Sequence, residues 1–356
     1  MVKKSKTAPK RATSTAPLSL DTVTSVKRLL AEVPERAREV LMYRFGLGTS
    51  AERQTLEEIG ERWDITRERV RQIESAGLEA VRGSKTFREL EPIFENLRAH
   101  IANLGGIVPE DELLENLAKD EKTRNRYRFL LVVGSAFFRE RETDDFYARW
   151  HVDHKTAEAV HDALSRLYTS LPDSDVLPEG ELMDHFLDEL KSVNDAYKNE
   201  EVLKRWLSLS KTIAANPLAE WGRASSPTVR TKGVRDYAYL VIKQHGKPMH
   251  FSDVAKTISG MFAKKAHVAT THNELIKDSR FVLVGRGLYA LAEWGYQPGV
   301  VRDVIRDVLK KKGSLTKEQV MDEVKKVRYV KDNTILVNLN DARNFKRAKD
   351  GTYAAV

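Results

Sequence analysis

The segment from Thr55 to Val81, TLEEIGERWDITRERVRQIESAGLEAV, constrains the chain most, because it carries two helix starts separated only by a turn signal. Thr55 and Glu58 form an S/T-x-x-E capping box: the hydroxyl accepts from the Glu58 amide and the carboxylate accepts from the Thr55 amide. A helix is therefore expected from Leu56. Asp64 is a turn residue, and Thr66 is a good N-cap for a second helix running toward Val81. So short a connection makes the pair a helix-turn-helix. Upstream, Pro34 suits the first helical position, and Val40, Leu41 and Phe45 run into the helix stop Gly46-Leu47-Gly48.

At roughly 100° per residue, Arg67, Glu68, Arg71, Gln72 and Ser75 fall on one arc of the second helix, and Val70, Ile73 and Gly77 fall on the opposite one. One arc packs and the other is free to read. Arg pairs bidentately with guanine O6 and N7, Gln with adenine N6 and N7, and Glu accepts from cytosine N4. A binder indifferent to sequence has no use for the Glu or the Gln. The plain alternative is a solvated amphipathic helix held by i,i+4 pairs.

VPERAREVLMYRFGLG followed by TLEEIGERWDITRERVRQIESAGLEAVR resembles region four of housekeeping bacterial sigma factors, which binds the upstream promoter element. The likeness covers about residues 31–83, and ITRERVRQIE is its most specific part. By matching position it implies that Arg67, Glu68 and Gln72 contact bases, with Thr66 and Arg71 beside the phosphates and Arg69 in the same DNA-binding set. It also implies that Phe45, Leu78 and Val81 face the flap of the RNA polymerase beta subunit; their other reading is ordinary core. Two departures stand out. Gly77, Glu79 and Ala80 occupy a helix end that is basic in the family, which weakens phosphate attraction. No segment corresponds to the aromatic and basic stretch with which sigma factors melt promoters, so a complete sigma factor is not expected.

The 356 residues carry a formal charge of +8, and that figure conceals a division. Residues 1–19 have a net +5, 20–84 a net −1, 85–229 a net −8 and 230–356 a net +12. The C-terminal third is the electrostatic candidate for nucleic acid, and the acidic middle is not. With 41% hydrophobic residues the chain has enough apolar material for several small cores. Residues 1–19 lack apolar periodicity and are expected to form a disordered basic tail, whose lysines hold phosphates loosely or merely solubilise. The chain has no cysteine, apolar leader or membrane-length run, so a cytoplasmic, nucleoid-associated protein is expected.

Beyond residue 85 a pattern recurs: helix, short Gly or Pro link, two helices, apolar hairpin. Its first copy, 85–154, places helices at Phe87–Leu104 and Pro109–Leu117, a link at Gly105–Val108 and a hairpin at Ala136–Trp150. A weaker copy spans 155–229, with VLPEGELMDHFLDEL and EEVLKRWLSLSKTIA as its second and third helices. The last two copies, 230–296 and 297–356, match each other: FVLVGRGLYAL and FKRAKDGTYAA align at a constant offset of 64, Phe281 on Phe345, Gly287 on Gly351 and Tyr289 on Tyr353. GKPMHFSDVA and GRGLYAL, within residues 233–292, resemble the HARE-HTH domain, a winged-helix module of RNA polymerase delta subunits and chromatin proteins. That resemblance implies association with DNA or polymerase and fixes no binding residue. The fold expected is mainly α with small β-hairpin wings, a helix-turn-helix followed by tandem winged helices.

In such a module the third helix and the wing tip face outward. For 230–296 these carry Lys264, Lys265, His267, Thr270, Thr271, His272 and Asn273, with Arg286 in the wing. In the last copy Lys346, Arg347 and Lys349 crowd the wing as phosphate contacts. A solvated basic surface is the alternative. His151 with His154, and His267 with His272, lack the Cys or H-E-x-x-H context of a metal site. No P-loop or nucleophile elbow is present, and Asp144 and Asp145 read as turn residues. Neither cofactor, metal, small-molecule ligand nor enzymatic activity is expected. The partners expected are double-stranded DNA and the RNA polymerase core, through its beta flap. The leading expectation is a sequence-specific transcription factor at bacterial promoters, against a polymerase accessory subunit or a nonspecific nucleoid architectural protein.

Overall fold

The computed structural model describes residues 20–173, 175–262, 264–296, 299–348 and 350–356. Helix α1 (Thr22–Ala31) starts at Asp21, whose carboxylate accepts from the Thr24 amide at 3.0 Å. α2 (Glu35–Phe45) begins one residue later than expected, with Pro34 as its N-cap, and ends at Gly46 with φ of 60°. α3 (Leu56–Arg62) starts in the expected capping box: the Glu58 amide donates to Thr55 Oγ1 at 3.2 Å and the Thr55 amide to Glu58 Oε2 at 2.6 Å. Asp64 takes a positive φ of 53° in the turn. α4 (Arg67–Gly83) is capped by Thr66, whose Oγ1 accepts from the Arg69 amide at 3.2 Å.

The expected helix Phe87–Leu104 is two helices, α5 (Lys85–Glu89) and α6 (Glu91–Asn103). Pro92 in the first turn of α6 has no amide to continue the preceding turn, which ends at Leu90. The supposed link contains a strand, β1 (Ile107–Pro109), followed by α7 (Glu110–Leu117), α8 (Glu121–Val133), β2 (Phe138–Glu140) and β3 (Arg149–His151). β3 lies between β1 and β2, antiparallel to both, so the hairpin is part of a three-stranded sheet. The next elements are α9 (His154–Ser170), β4 (Leu177–Pro178), α10 (Glu179–Glu189), a short 3-10 turn at Asp195–Tyr197 and α11 (Glu200–Leu207). α11 stops well before the expected end, because Ile213 opens β5 (Ile213–Ala215); β6 (Glu220–Arg223) comes after it and pairs with β4.

α12 (Val234–His245), β7 (Met249–His250), α13 (Phe251–Met261), α14 (Val268–Lys277), β8 (Phe281–Gly285) and β9 (Leu288–Leu291) come next, then a 3-10 turn at Ala292–Trp294. Their sheet has the order β7-β9-β8. The chain ends with α15 (Val301–Lys312), α16 (Lys317–Val327), α17 (Asp332–Leu339), β10 (Phe345–Arg347) and β11 (Tyr353–Ala355). Here the third strand shrinks to one bridge, Leu315 against Tyr353. The internal repeat holds in three dimensions: Thr271 and Leu275, buried on α14, sit in register with Ile335 and Leu339, buried on α17. Gly287 and Gly351 both adopt positive φ, 69° and 85°, as tight hairpins require.

Contacts divide the chain into two compact units, one of residues up to Ser170 with Gly180–Ala214, the other of Leu171–Glu179 with Ala215–Val356. In the first unit one core joins α1, α2, α4, α6, α7 and α8 through Leu29, Leu41, Phe45, Val81, Leu97, Leu113 and Leu130, and a small satellite of Val40, Ile59 and Val70 lies under the helix-turn-helix. In the second unit the cores around Leu240 and around Ile305 are separate. A buried guanidinium connects them: Arg328, just past α16, donates from Nη1 to the Leu283 carbonyl of β8 at 2.9 Å. No helix among the described residues is long and apolar enough to cross a membrane.

Candidate nucleic-acid interface

Glycines let α3 close onto the turn and α4 pack onto α2. Gly60 lies so close to the Ile65 carbonyl that a Cβ would approach it to 2.6 Å, and at Gly77 a Cβ would stand 3.2 Å from Ala37 and Leu41. Val70, Gly77 and Val81 are buried along the inner arc of α4, and Ile73 is half-buried. Arg67, Glu68, Arg69, Arg71, Gln72 and Ser75 are all exposed, as the arc requires.

These side chains hold one another. Arg71 donates to Glu68 through Nε and Nη2 at 2.8 and 2.7 Å, a bidentate pair. Hydrogen bonding from Arg71 keeps the Glu68 carboxyl below the usual carboxylate range and raises Arg71 in turn. Arg69 Nη1 donates to Gln72 Oε1 at 3.0 Å. Arg67 reaches back across the turn to Glu57 on α3 at 2.9 Å. That last pair escaped sequence reasoning, since it joins two helices and obeys no single-helix spacing. All these groups are well exposed, so the pairs are weak and exchangeable for contacts to a ligand.

The residues assigned to the polymerase flap need correction. Phe45 is only 7% exposed and Val81 fully buried, and Leu78 is half-buried against the same core. The cause is α8. Phe129 stacks edge-on against Phe45 at 5.4 Å between centroids. Arg82 donates to the carbonyls of Val132 and Val133 at 2.7 and 3.1 Å, and Asn125, fully buried, donates to the Ala51 carbonyl at 2.8 Å. Phe45 and Val81 are core, whereas Leu78 packs against that core and keeps part of its surface in solvent.

In the second unit the basic residues separate by role. Lys264 is half-buried: its Nζ donates to the Lys232 carbonyl at 3.1 Å and lies 4.5 Å from the centre of the Tyr237 ring. Thr271 is buried and donates to the His267 carbonyl at 3.0 Å, and His272 stacks on Phe251. Lys265, Arg286, Lys346 and Arg347 are exposed, and Arg347 leans over Tyr353. Lys349 and the tail 1–19 lie outside the described residues. Among the described residues no three His, Asp or Glu side chains gather as a metal site.

Residues 29–83 match the family described as sigma-70, region 4. The chain is similar to the RNA polymerase sigma factor RpoD of Helicobacter pylori, 40% identical over 70 residues, 20% of this chain and 10% of that protein. It is similar to the RNA polymerase sigma-C factor of Nostoc sp., 40% identical over 72 residues, 20% of this chain and 17% of the other. It is also 44% identical over 64 residues to the sigma factor RpoS of Coxiella burnetii, 18% of each chain. The chain thus spans less than a fifth of the length of these relatives. The matched stretch is the one that folds as α2, α3 and α4, with the exposed arc of α4 inside it, and residues 29–83 accordingly carry a sigma-70 region 4 helix-turn-helix.

Proposed function

We propose that this protein is a sequence-specific DNA-binding transcription factor acting at bacterial promoters with RNA polymerase, and that it reads DNA with α4. One observation carries the reading: Arg67, Glu68, Arg71 and Gln72, with three different base preferences, share an exposed arc whose opposite side is buried. The order helix, strand, two helices, hairpin in 85–154 and 230–296, kept in 297–356 with the strand reduced to one bridge, supports reading each as a winged helix, with 155–229 as a weaker fourth. The HARE-HTH likeness of 233–292 fits that order. Weak modules on one chain raise the effective affinity of the whole.

Burial of Phe45 and Val81 favours DNA reading over docking of these residues on the polymerase flap. Selection of duplexes from a random pool by the full chain, repeated with Arg71→Ala/Gln72→Ala, tests the proposal. An enriched motif that degrades at the positions those residues read supports it. Equal affinity for promoter and random duplexes with a steep salt slope would establish a nonspecific architectural protein instead.

A further inference from the structure

The loop between α2 and α3 borders a cavity of about 550 Å³ that no residue of α4 lines. Glu39, Met42 and Tyr43 reach it from α2, Glu52 and Gln54 from the loop, and Arg62 from α3. Three hydrogen bonds hold the loop in place. Asn125 donates to the Ala51 carbonyl at 2.8 Å, the Gln54 amide to the Tyr43 carbonyl at 3.0 Å, and Arg44 Nη1 to the Gln54 carbonyl at 3.2 Å. The cavity is therefore formed before any ligand arrives, which spares a ligand the cost of ordering it.

Its polar lining is short of donors. Glu39 and Glu52 are exposed, and neither carboxylate has an ion-pair or hydrogen-bond partner among the described residues. Gln54 Oε1 is sealed from solvent and likewise has no partner among them, although a buried acceptor is normally satisfied. Arg62 does not meet the need. Its guanidinium lies over the Tyr43 ring, 4.5 Å from the centre, and Tyr43 in turn meets Trp63 edge-on at 6.4 Å. Two unpaired carboxylates and an orphaned amide oxygen in one walled space ask for a ligand that donates hydrogen bonds and carries positive charge.

We propose that this cavity is a binding site for an aliphatic cation, an alkylammonium or guanidinium group held by the carboxylates of Glu39 and Glu52, with a further N–H donated to Gln54 Oε1. Met42 and Tyr43 supply the apolar wall that an alkyl stem needs. An anion fits poorly, because the cavity sets two unpaired carboxylates against one guanidinium that a ring already engages. The site is independent of how α4 reads DNA. Two sources offer the same chemistry: a free polyamine, and the start of the chain itself. Residues 1–19 carry five cations and no carboxylate. They join the described chain at Leu20, whose backbone is hydrogen-bonded to Tyr127, two residues beyond the Asn125 that holds the loop. A stretch of that length spans up to roughly 60 Å, so reach is no obstacle.

Calorimetric titration of the full chain with spermidine at low salt tests the site. Saturable binding is expected, weakened more than about tenfold by Glu39→Gln/Glu52→Gln. Asp111→Asn/Glu115→Gln removes two exposed carboxylates of α7 and is expected to leave the affinity unchanged. Circular dichroism melting checks that each variant remains folded. A full chain carrying Lys3→Gln/Lys4→Gln/Lys6→Gln/Lys10→Gln/Arg11→Gln separates the two sources. Tighter spermidine binding than in the parent identifies residues 1–19 as the resident cation, and equal binding identifies a free one; either result upholds the site. Absence of saturable binding in both the parent and this variant overturns the proposal. So does an equal loss from the two carboxylate pairs, which would mark mere attraction to an acidic surface.

Discussion

Asn125 on α8 donates its side-chain amide to the Ala51 carbonyl at 2.8 Å, and its own oxygen accepts from Arg128 at 2.7 Å. A buried carboxamide thus pins the loop between α2 and α3 to a helix well outside the helix-turn-helix. Asn125→Ala leaves the Ala51 carbonyl without that donor and is expected to cost about 1 to 3 kcal/mol. Urea denaturation of the full chain measures it; a midpoint equal to the parent's would mean that the loop carbonyl is satisfied without Asn125.

The reading arc gives a contrast between two kinds of contact. Arg67→Ala or Gln72→Ala is expected to cost about 1 to 3 kcal/mol on a cognate site and to relax base choice there. Lys346→Ala is expected to weaken all duplexes alike and to flatten the dependence of affinity on salt. Fluorescence anisotropy against a panel of duplexes at several salt concentrations separates the two, and a Lys346 effect confined to one sequence would contradict its backbone role.

Paired glycines of the repeat are expected to respond unequally. At Gly351, with φ of 85°, an added Cβ meets nothing within 4 Å, so Gly351→Ala costs only the backbone strain, about 1 to 2 kcal/mol. At Gly287, with φ of 69°, the same Cβ lies 2.5 Å from His250 Nε2 and 2.9 Å from the Phe251 ring. Gly287→Ala should therefore destabilise more. Thermal melts of both variants check the order, and equal losses would show that His250 gives way freely.

Acid is expected to weaken the first unit. Burial lowers His161 from 6.5 to about 4, helped by the Arg149 guanidinium against the opposing pull of Glu140. Its Nε2 accepts from Arg149 Nε at 2.6 Å, which only a neutral ring does. Burial lowers the neighbouring His151 as well, again against Glu140. Unfolded, these rings take protons first; the contribution of His161 is whole above pH 6.5 and is lost as pH falls toward 4, by on the order of 3 kcal/mol at most, and His151 acts in the same direction. Denaturation midpoints across that range should fall in the parent and fall less in His161→Gln. Identical pH profiles would remove His161 from the account.

Local signals were the legible part of the chain. Thr55 with Glu58, Thr66, Gly46 and the glycines of the repeat each act within a few residues, and each does what its spacing implies. The strands Ile107–Pro109 and Met249–His250 were not legible, because they are too short to show a period of two and stand apart from any hairpin; only partners far along the chain make them strands. The same limit governs the site. Exposure of the α4 arc comes from helical geometry, whereas Phe45 and Val81 are sealed by α8, and Lys264 is held by the carbonyl of Lys232, contacts that no local pattern announces.

The cover that α8 lays over α2 and α4 makes the helix-turn-helix inseparable from the stretch of chain between Ser84 and Val133. Excised after Gly83, the helix-turn-helix would lose the aromatic partner of Phe45 and the carbonyls that hold Arg82, and would present a greasy flank to its own copies. It is not a portable cassette: grafting it onto another protein requires carrying the chain through at least Val133, and a shorter fragment would be prone to clumping before it met a promoter.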